Sequence, residues 1–235
     1  MAGGRRLEDR VIAIAGASRG LGAAVAKACA AEGARLVLVA RTRGGLEEVD
    51  DAVRQAGGEA TLVVADLTQG ELVDRLGAAL FERFGRLDGL VVTAAELGAI
   101  TPVSHLEPKV LEQVVRTNLL AAHRLIRSLD PLLRAAPDAR AVFVTDRNGR
   151  HRAYWGAYAA SKAALEALVL AYAAELRLTN VKVNLYDPGP MATRLRSRAY
   201  PGEDPTSRPD PAEAVPALVE LLLPTCTRQG EIVGR

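Results

Sequence analysis

Short, mostly apolar runs recur along the chain, and each is followed by a glycine or by polar residues. Runs of this kind indicate strands that are buried on both faces of a sheet. The predicted strands cover residues 11–15, 35–40, 60–65, 87–92, 139–144, 181–186 and, as a last short one, 230–233.

Between these runs, apolar residues recur every three or four positions, which is the spacing of a helix that packs one face against a core. The predicted helices cover residues 23–31, 46–55, 72–84, 109–134, 155–176 and 211–223. Alternation of strand and helix predicts parallel strands with helices on both faces. No linker interrupts the pattern, so we predict an α/β fold: a single doubly wound, Rossmann-type domain over residues 1–235, with a mostly parallel central sheet of about seven strands flanked by helices.

The segment 194–209 breaks this alternation, because it is polar and rich in proline. We predict a mobile loop there, which contributes to the substrate site. Directly after it, Asp210 and Glu213 stand at the spacing of a capping box, with Pro211 at the first helical position. These residues predict the start of the last helix.

Charge is nearly balanced, with 30 Lys and Arg against 28 Asp and Glu, so no overall field favours nucleic acid or an anionic membrane as a partner. Cys29 and Cys226 have no metal-ligand spacing around them, and we predict no metal site and a reducing compartment. No apolar run approaches membrane-spanning length, and residues 1–10 lack the apolar core of a secretion signal. Both observations favour a cytoplasmic protein.

A glycine-rich turn stands between the first predicted strand and the first helix. Such a turn can hold a phosphate, because glycines let backbone amides approach the anion and the helix N-terminus adds a partial positive charge. The order of strand, turn and helix favours nucleotide binding, although a tight connection with positive φ would use the same glycines. The predicted contacts are Gly16, Ser18, Arg19, Gly20, Leu21 and Gly22.

Arg41 and Arg43 follow the second predicted strand, where dinucleotide sites contact the adenosine ribose. An acid at this place bonds the ribose hydroxyls of NAD, whereas a basic residue accommodates the 2′-phosphate of NADP. No acid is present, and Arg19 is a second cation that could reach the same phosphate. We therefore predict NADP as the cofactor, with NAD less favoured; ordinary loop charges are the alternative interpretation.

Tyr158 and Lys162 are four residues apart in a predicted helix, so their side chains share one face. A free tyrosine keeps its proton at neutral pH. A neighbouring ammonium favours the phenolate and lowers the tyrosine pKa, which would make Tyr158 a usable general acid or base. The spacing is common, and by itself it more often reflects a core aromatic residue and a solvated charge.

Two further features have a structural and a functional interpretation. Asn118 lies among apolar residues within the predicted helix 109–134, so its amide either repairs local backbone or binds something. A basic loop precedes the helix of Tyr158; such loops are usually solvated, but this one could attract a carboxylate, a phosphopantetheine or an acyl carrier. Its members are Arg147, Arg150, His151 and Arg152.

Together these motifs resemble those of the short-chain dehydrogenase/reductase family, in the same order and over residues 6–233. The turn at 16–22 matches the family's cofactor loop. The resemblance implies further cofactor contacts, from the adenine to the nicotinamide end, at Asp66, Leu67, Ala94, Pro188, Gly189 and Thr193.

The resemblance also implies a chemistry, because Asn118, Tyr158 and Lys162 match three of the four residues of the family's catalytic tetrad. In such enzymes Tyr158 would exchange a proton with the substrate oxygen, while hydride moves between the substrate carbon and the nicotinamide. Lys162 would lower the Tyr158 pKa and bond the nicotinamide ribose. Asn118 would hold a water that links Lys162 to solvent.

Two departures from the family pattern concern the cofactor. Ala15 stands where a threonine usually precedes the first glycine. The fourth strand ends in Thr93, Ala94 and Ala95, where the family has Asn, Ala and Gly. An amide partner is therefore missing, and Ala95 adds a Cβ where the family keeps the backbone bare.

The third departure concerns the catalytic serine of the family. Counting thirteen residues back from Tyr158 gives Thr145, whereas alignment from the preceding strand gives Asp146. Thr145 keeps a hydroxyl donor and is the preferred assignment. An ionised Asp146 could not donate, and its charge would oppose the phenolate.

We therefore predict an enzyme, an NADP-dependent oxidoreductase that interconverts a small-molecule carbonyl and a secondary alcohol. The alternative is a catalytically impaired, cofactor-binding relative that acts as a redox sensor or subunit partner, which the missing serine favours. A reductase of carrier-bound acyl groups is a third possibility. Small residues on the Tyr158 helix allow close helix packing, and members of the family usually pair this helix across a two-fold axis. Together these features predict a homodimer or homotetramer.

Overall fold

Seven parallel strands form one sheet in the computed structural model, which describes residues 5–235. The sheet order is β3-β2-β1-β4-β5-β6-β7, and each neighbouring pair is parallel. The predicted α/β class and doubly wound parallel sheet are confirmed. The strands are β1 (Val11–Ala15), β2 (Arg35–Ala40), β3 (Glu59–Val64), β4 (Gly89–Val92), β5 (Ala139–Val144), β6 (Val181–Asp187) and β7 (Ile232–Gly234).

Helices cover both faces of the sheet, because successive side chains of a strand point to opposite sides. In β1, Ala13 faces the core that packs against α3, α5 and α6, while Ile12 and Ile14 face the core under α1, α2 and α8. The helices are α1 (Gly20–Ala31), α2 (Arg43–Gln55), α3 (Gly70–Phe84), α4 (Pro108–Val115), α5 (Ala121–Ala135), α6 (Gly156–Glu175), α7 (Arg194–Ala199) and α8 (Pro211–Leu222).

The helix expected over residues 109–134 is divided in the structure. A π-helical turn, Arg116–Leu120, separates α4 from α5 and contains Asn118. Turns of this type insert one extra residue into the helix and are frequent at functional sites. Apolar periodicity predicted the helical segments but could not reveal the insertion, because the spacing on either side of it is still helical.

The segment 194–209 contains α7 and a short 3₁₀ turn, so the prediction of a loop without helix is wrong in this respect. The Thr193 hydroxyl caps α7 by accepting the Arg196 backbone N–H at 3.2 Å. Glu203 then binds the guanidinium groups of both Arg196 and Arg208. A cap and local ion pairs thus order a stretch whose composition is typical of a loop.

The last helix begins as predicted. The Asp210 carboxylate accepts the Ala212 backbone N–H, and Glu213 bonds back to the Asp210 N–H, which is a capping box with Pro211 at the first position. No helix within residues 5–235 combines the length and the apolar character needed to cross a bilayer.

Candidate active site

A cleft of about 630 Å³ opens at the carboxyl ends of the strands, the usual place for a ligand in an open parallel sheet. All the cofactor contacts predicted from the sequence line this cleft, from Gly16 to Thr193. Tyr158, Lys162 and Thr145 line it as well, whereas Asn118 lies behind it. The structure therefore brings together both sets of residues that the sequence singled out.

The glycine-rich turn packs closely against the end of β4. Gly16 has a φ of +93°, and a Cβ on it would lie 2.6 Å from the Ala94 nitrogen. A Cβ on Gly22 would collide with the Gly16 carbonyl oxygen. The Thr93 hydroxyl donates to the carbonyls of Ala15 and Gly16 at 3.1 Å each. Thr93 thus ties the altered end of β4 to the turn, and the glycines allow this close packing because they carry no Cβ.

Cations and one oriented carboxylate mark the far end of the cleft, beyond β2 and β3. Arg19 and Arg41 line it, and neither has a salt bridge within residues 5–235. Asp66 accepts hydrogen bonds from the Thr68 backbone and hydroxyl at 2.9 and 2.8 Å. Burial opposes ionisation of Asp66, but these bonds and the Arg41 charge hold its pKa below the usual value. This end can therefore bind an anion through two unpaired guanidinium groups.

Tyr158 and Lys162 lie at the other end of the cleft, on α6. Lys162 is only 2% exposed, and its ammonium donates to the Val144 carbonyl at 2.8 Å and lies 5.9 Å from the Tyr158 ring centroid. Burial lowers the pKa of Lys162 to about 8, although the charges of Asp146 and Asp187 oppose that shift. Lys162 is thus a cation whose charge is sensitive to pH near neutrality.

Asp146, and not Thr145, faces the Tyr158 hydroxyl. Burial first, and then the charge of the nearby Asp146, raise the pKa of Tyr158, so the lowering predicted from the neighbouring ammonium is wrong. Thr145 instead donates its hydroxyl to Glu166 at 2.6 Å. The geometry therefore favours the alignment from the strand, which gives Asp146 the place of the family's serine.

The Asp146 carboxylate is fixed in place by the loop that follows it. Its Oδ1 accepts the backbone N–H groups of Asn148 and Gly149 at 3.0 and 3.3 Å. Burial and the nearby charge of Asp187 raise the pKa of Asp146. Asp187 was not among the predicted site residues; its position as the last residue of β6, at the edge where the ends of parallel strands meet, was the signal for it.

Glu166, which sequence reasoning also missed, is buried one helical turn beyond Lys162. Besides the Thr145 hydroxyl, it binds the Arg150 guanidinium in an ion pair. One member of the basic loop is thereby neutralised, and the loop is anchored against α6. The spacing of four residues from Lys162 could have indicated that both side chains share a face.

We expect Arg150→Ala to lower the free energy of unfolding by about 2–4 kcal/mol, because the Glu166 carboxylate would stay buried without its partner. This expected loss of stability is at the lower end of the range for buried ion pairs, since the Arg150 side chain is 34% exposed. Urea unfolding measures it. The matched control is Arg147→Ala in the same loop, where an exposed side chain should change stability by less than about 0.5 kcal/mol. Equal losses in the two variants would contradict the anchoring role.

Asn118 connects the segment after β4 to α6. Its Oδ1 accepts the Glu96 N–H at 2.7 Å, and its Nδ2 donates to the Glu96 carbonyl and the Ser161 hydroxyl, both at 2.9 Å. The amide therefore satisfies the backbone of a distant segment, and not that of its own helix, where the sequence had left open local backbone repair or binding. That Asn118 also holds a water for Lys162 stays a prediction.

Three aromatic rings form a wall at this end, where Trp155 and Tyr158 line the cleft and Tyr200 packs against Trp155. The Trp155 ring lies edge-on to Tyr158 with centroids 5.7 Å apart, and the Tyr200 ring is 5.8 Å from Trp155. Trp155 and Tyr158 come from the start of α6, whereas Tyr200 follows α7. Five residues of the segment 194–209 line the cleft, namely 194–196, 198 and 199. That this segment binds the substrate stays a prediction.

Comparisons with known proteins identify the family of the chain. Residues 10–204 match the family model of the short chain dehydrogenases. The uncharacterized oxidoreductase YciK of Escherichia coli K12 is 34% identical over 220 residues, which cover 92% of this chain and 87% of YciK. The chain belongs to the short-chain dehydrogenase/reductase family, so the predicted family and the prediction of an oxidoreductase enzyme are confirmed.

Solved structures show the same fold. A short chain dehydrogenase from Salmonella enterica serovar Typhi superposes with a TM-score of 0.95 at 29% identity, covering 100% of this chain and 98% of that protein. A protein of Shigella flexneri 2a, solved in complex with NADP, has a TM-score of 0.94 at 31% identity and covers 99% of both chains.

Proposed function

We propose that this protein is an NADP-dependent oxidoreductase that interconverts a carbonyl and a secondary alcohol of a small molecule. One observation carries the proposal: the buried Tyr158 and its neighbour Lys162 line the same cleft as the glycine-rich turn. A group suited to proton transfer and a site suited to a dinucleotide phosphate therefore share one cavity. The impaired, non-enzymatic alternative gains no support from the relatives.

The cleft fits a dinucleotide by its donors: the glycine-rich turn leads into the N-terminus of α1, and Arg19 and Arg41 line the cleft without an acidic partner within residues 5–235. When bound, the nicotinamide supplies or accepts a hydride. Arg19 and Arg41 would bind the 2′-phosphate on the adenosine ribose. Asp66 and Leu67 would contact the adenine. The nicotinamide end would contact Ala94, Lys162, Pro188, Gly189 and Thr193.

Tyr158 would move the proton. Its hydroxyl donates to the carbonyl oxygen during reduction and takes the proton back during oxidation. The Lys162 ammonium stabilises the phenolate formed in between, as long as the ammonium is charged. Burial of both side chains strengthens this interaction, because little water is present to screen it.

Asp146 would modify this chemistry, because a carboxylate stands where the resemblance to the family leads us to expect a serine hydroxyl. Its charge keeps the proton on Tyr158, which suits a donor to a carbonyl and hinders a base that must accept a proton from an alcohol. The protein should therefore act more readily as a reductase at neutral pH. Thr145 would help to hold the site in place, because its hydroxyl donates a hydrogen bond to Glu166.

We expect Arg41→Ala to weaken NADPH binding about tenfold or more and NADH binding much less, because only NADPH carries the 2′-phosphate that a guanidinium would bind. Fluorescence titration with both nucleotides measures the two affinities. Arg43→Ala is the matched control, since Arg43 follows the same strand but does not line the cleft. Equal losses for NADPH and NADH would reject the NADP assignment.

The proposed activity is tested by incubating the protein with NADPH and a broad panel of ketones and aldehydes, and with NADP and the matching alcohols. We expect NADPH to be oxidised, which is measured as a fall in absorbance at 340 nm, at rates that depend on the carbonyl compound. Binding of NADPH without turnover of any compound in the panel would favour a non-enzymatic role.

We further propose a cytoplasmic homodimer or homotetramer. The outer face of α6 supports assembly, because its exposed positions carry only small side chains over most of the helix, at Ala160, Ala163, Ala167 and Ala171. A smooth face of this kind lets two helices approach closely. Light scattering of the purified protein would determine the subunit number, and a monomer at micromolar concentration would reject the proposal.

A further inference from the structure

Only one of the four basic residues in the loop before α6 lines the cleft. Arg150 is paired with Glu166, and neither Arg147 nor His151 is part of the lining. Arg152 lines the cleft at the aromatic wall. The charge cluster seen in the sequence therefore reduces to a single guanidinium that a bound molecule could meet.

Aromatic rings hold Arg152 without neutralising it. Its guanidinium carbon lies 5.3 Å from the Trp155 ring and 5.0 Å from the Tyr200 ring. Cation–π contacts of this kind orient a guanidinium but leave its N–H donors free for an anion. No carboxylate within residues 5–235 forms a salt bridge with Arg152.

Two neighbouring arginines at this end differ from Arg152 because they have acidic partners. Arg196 forms two bonds to Glu203, and Arg198 pairs with Glu96 at 2.9 Å. Arg194 also lines the cleft without a salt bridge, but it directly follows the predicted cofactor contact at residue 193. Arg152 is thus the uncompensated cation on the aromatic wall.

The charges around Tyr158 restrict where an anion can lie. Asp146 and Asp187 place negative charge next to the Tyr158 hydroxyl, so an anionic group is disfavoured there. Arg152 contacts the Trp155 ring, whereas Tyr158 packs edge-on against the same ring, so the indole connects the two positions. A substrate with a carbonyl at Tyr158 would therefore have its anion several bonds away, at Arg152.

We propose that the substrate is a carbonyl compound with a remote anionic group, a carboxylate or a phosphate, and that Arg152 binds this group. The inference rests on the proposed function for the identity of the reacting carbonyl. The guanidinium is suited to either anion, because both accept two parallel N–H bonds. Arg152 is a specificity-determining residue in this arrangement.

Trp155 is the only tryptophan of the chain, so its fluorescence reports binding next to Arg152 whether or not turnover occurs. The protein saturated with NADP is titrated with 4-oxopentanoate and 5-oxohexanoate, each compared with its methyl ester. Dihydroxyacetone phosphate compared with dihydroxyacetone distinguishes phosphate from carboxylate. We expect a saturable change in emission with an anionic probe and a dissociation constant at least about tenfold higher for its neutral counterpart.

Variants test the assignment to Arg152. Arg152→Ala should raise the dissociation constant of the anionic probe about tenfold or more and leave that of the neutral probe unchanged. Arg152→Lys should retain part of the preference, and Arg147→Ala, the control from the same loop, should retain all of it. The same pairs are compared by kcat/KM for reduction with NADPH.

The outcomes separate the two proposals. Selective anion binding without turnover would support the role of Arg152 and reject the proposed reaction. Turnover in which acids and esters react alike would support the reaction and overturn the role of Arg152. The role is also overturned if no anionic probe binds better than its neutral counterpart, or if Arg152→Ala weakens both members of a pair equally.

Discussion

Tyr158→Phe is expected to lower kcat for carbonyl reduction by about 10²- to 10⁴-fold, the usual contribution of a positioned general acid. The ring would keep its packing against Trp155 and only the hydroxyl would be lost, so NADPH affinity should change little. Steady-state kinetics with a substrate from the carbonyl panel, together with NADPH titration, would separate the two effects.

Tyr172→Phe provides the matched control on the same helix. Tyr172 is also buried and its hydroxyl donates to Asp130 at 2.7 Å, but it does not line the cleft. This variant should lose about 1–2 kcal/mol of stability and keep its kcat. A Tyr158→Phe variant that turns over at the wild-type rate would remove the proton-transfer role from Tyr158.

Asp146→Asn is expected to shift the pH profiles of alcohol oxidation and of carbonyl reduction to lower pH. Alcohol oxidation needs the Tyr158 phenolate, and the Asp146 charge raises the pKa of that phenol. Removing one neighbouring charge lowers such a pKa by about 1–3 units. The acidic limb of kcat/KM for oxidation should shift down by a similar amount, with a rate gain of tenfold or more below that limb.

The alkaline limb for reduction should move in the same direction. The Lys162 ammonium, with a pKa of about 8, loses its charge as the pH rises, and Asp146 is one of the groups that favours the charged form. Without Asp146, Lys162 deprotonates at lower pH and reduction declines earlier. Asp74→Asn on the exposed side of α3 is the control. If the pH profiles of Asp146→Asn have their limbs at the same pH as the wild type, this carboxylate does not act on the phenol.

The sequence predicted the parts of the site that depend on local order along the chain. The glycine-rich turn and the spacing of Tyr158 and Lys162 are local patterns, because neighbours in the sequence determine how a turn or a helix face forms. The strands were predicted for a similar reason, since a run buried on both faces is apolar throughout.

The choice between Thr145 and Asp146 needed the structure. Adjacent residues at the end of a strand point to opposite sides, so a shift of one residue in alignment exchanges the side chain that faces Tyr158. The role of Glu166 was equally hidden, because its partners Thr145 and Arg150 come from a different element. α7 formed against its composition through ion pairs whose partners no periodicity reveals.

The position of β1 and β4 at the centre of the sheet has a consequence for how the chain acquires its structure. Ile12 of β1 pairs with Gly89 of β4, although β2, β3 and three helices lie between these strands in the sequence. Contacts between such distant segments make folding slow for a chain of this size. The Thr93 hydroxyl at the end of β4 bonds the carbonyls of Ala15 and Gly16, so a nascent chain that ends before β4 would lack part of the support of the glycine-rich turn.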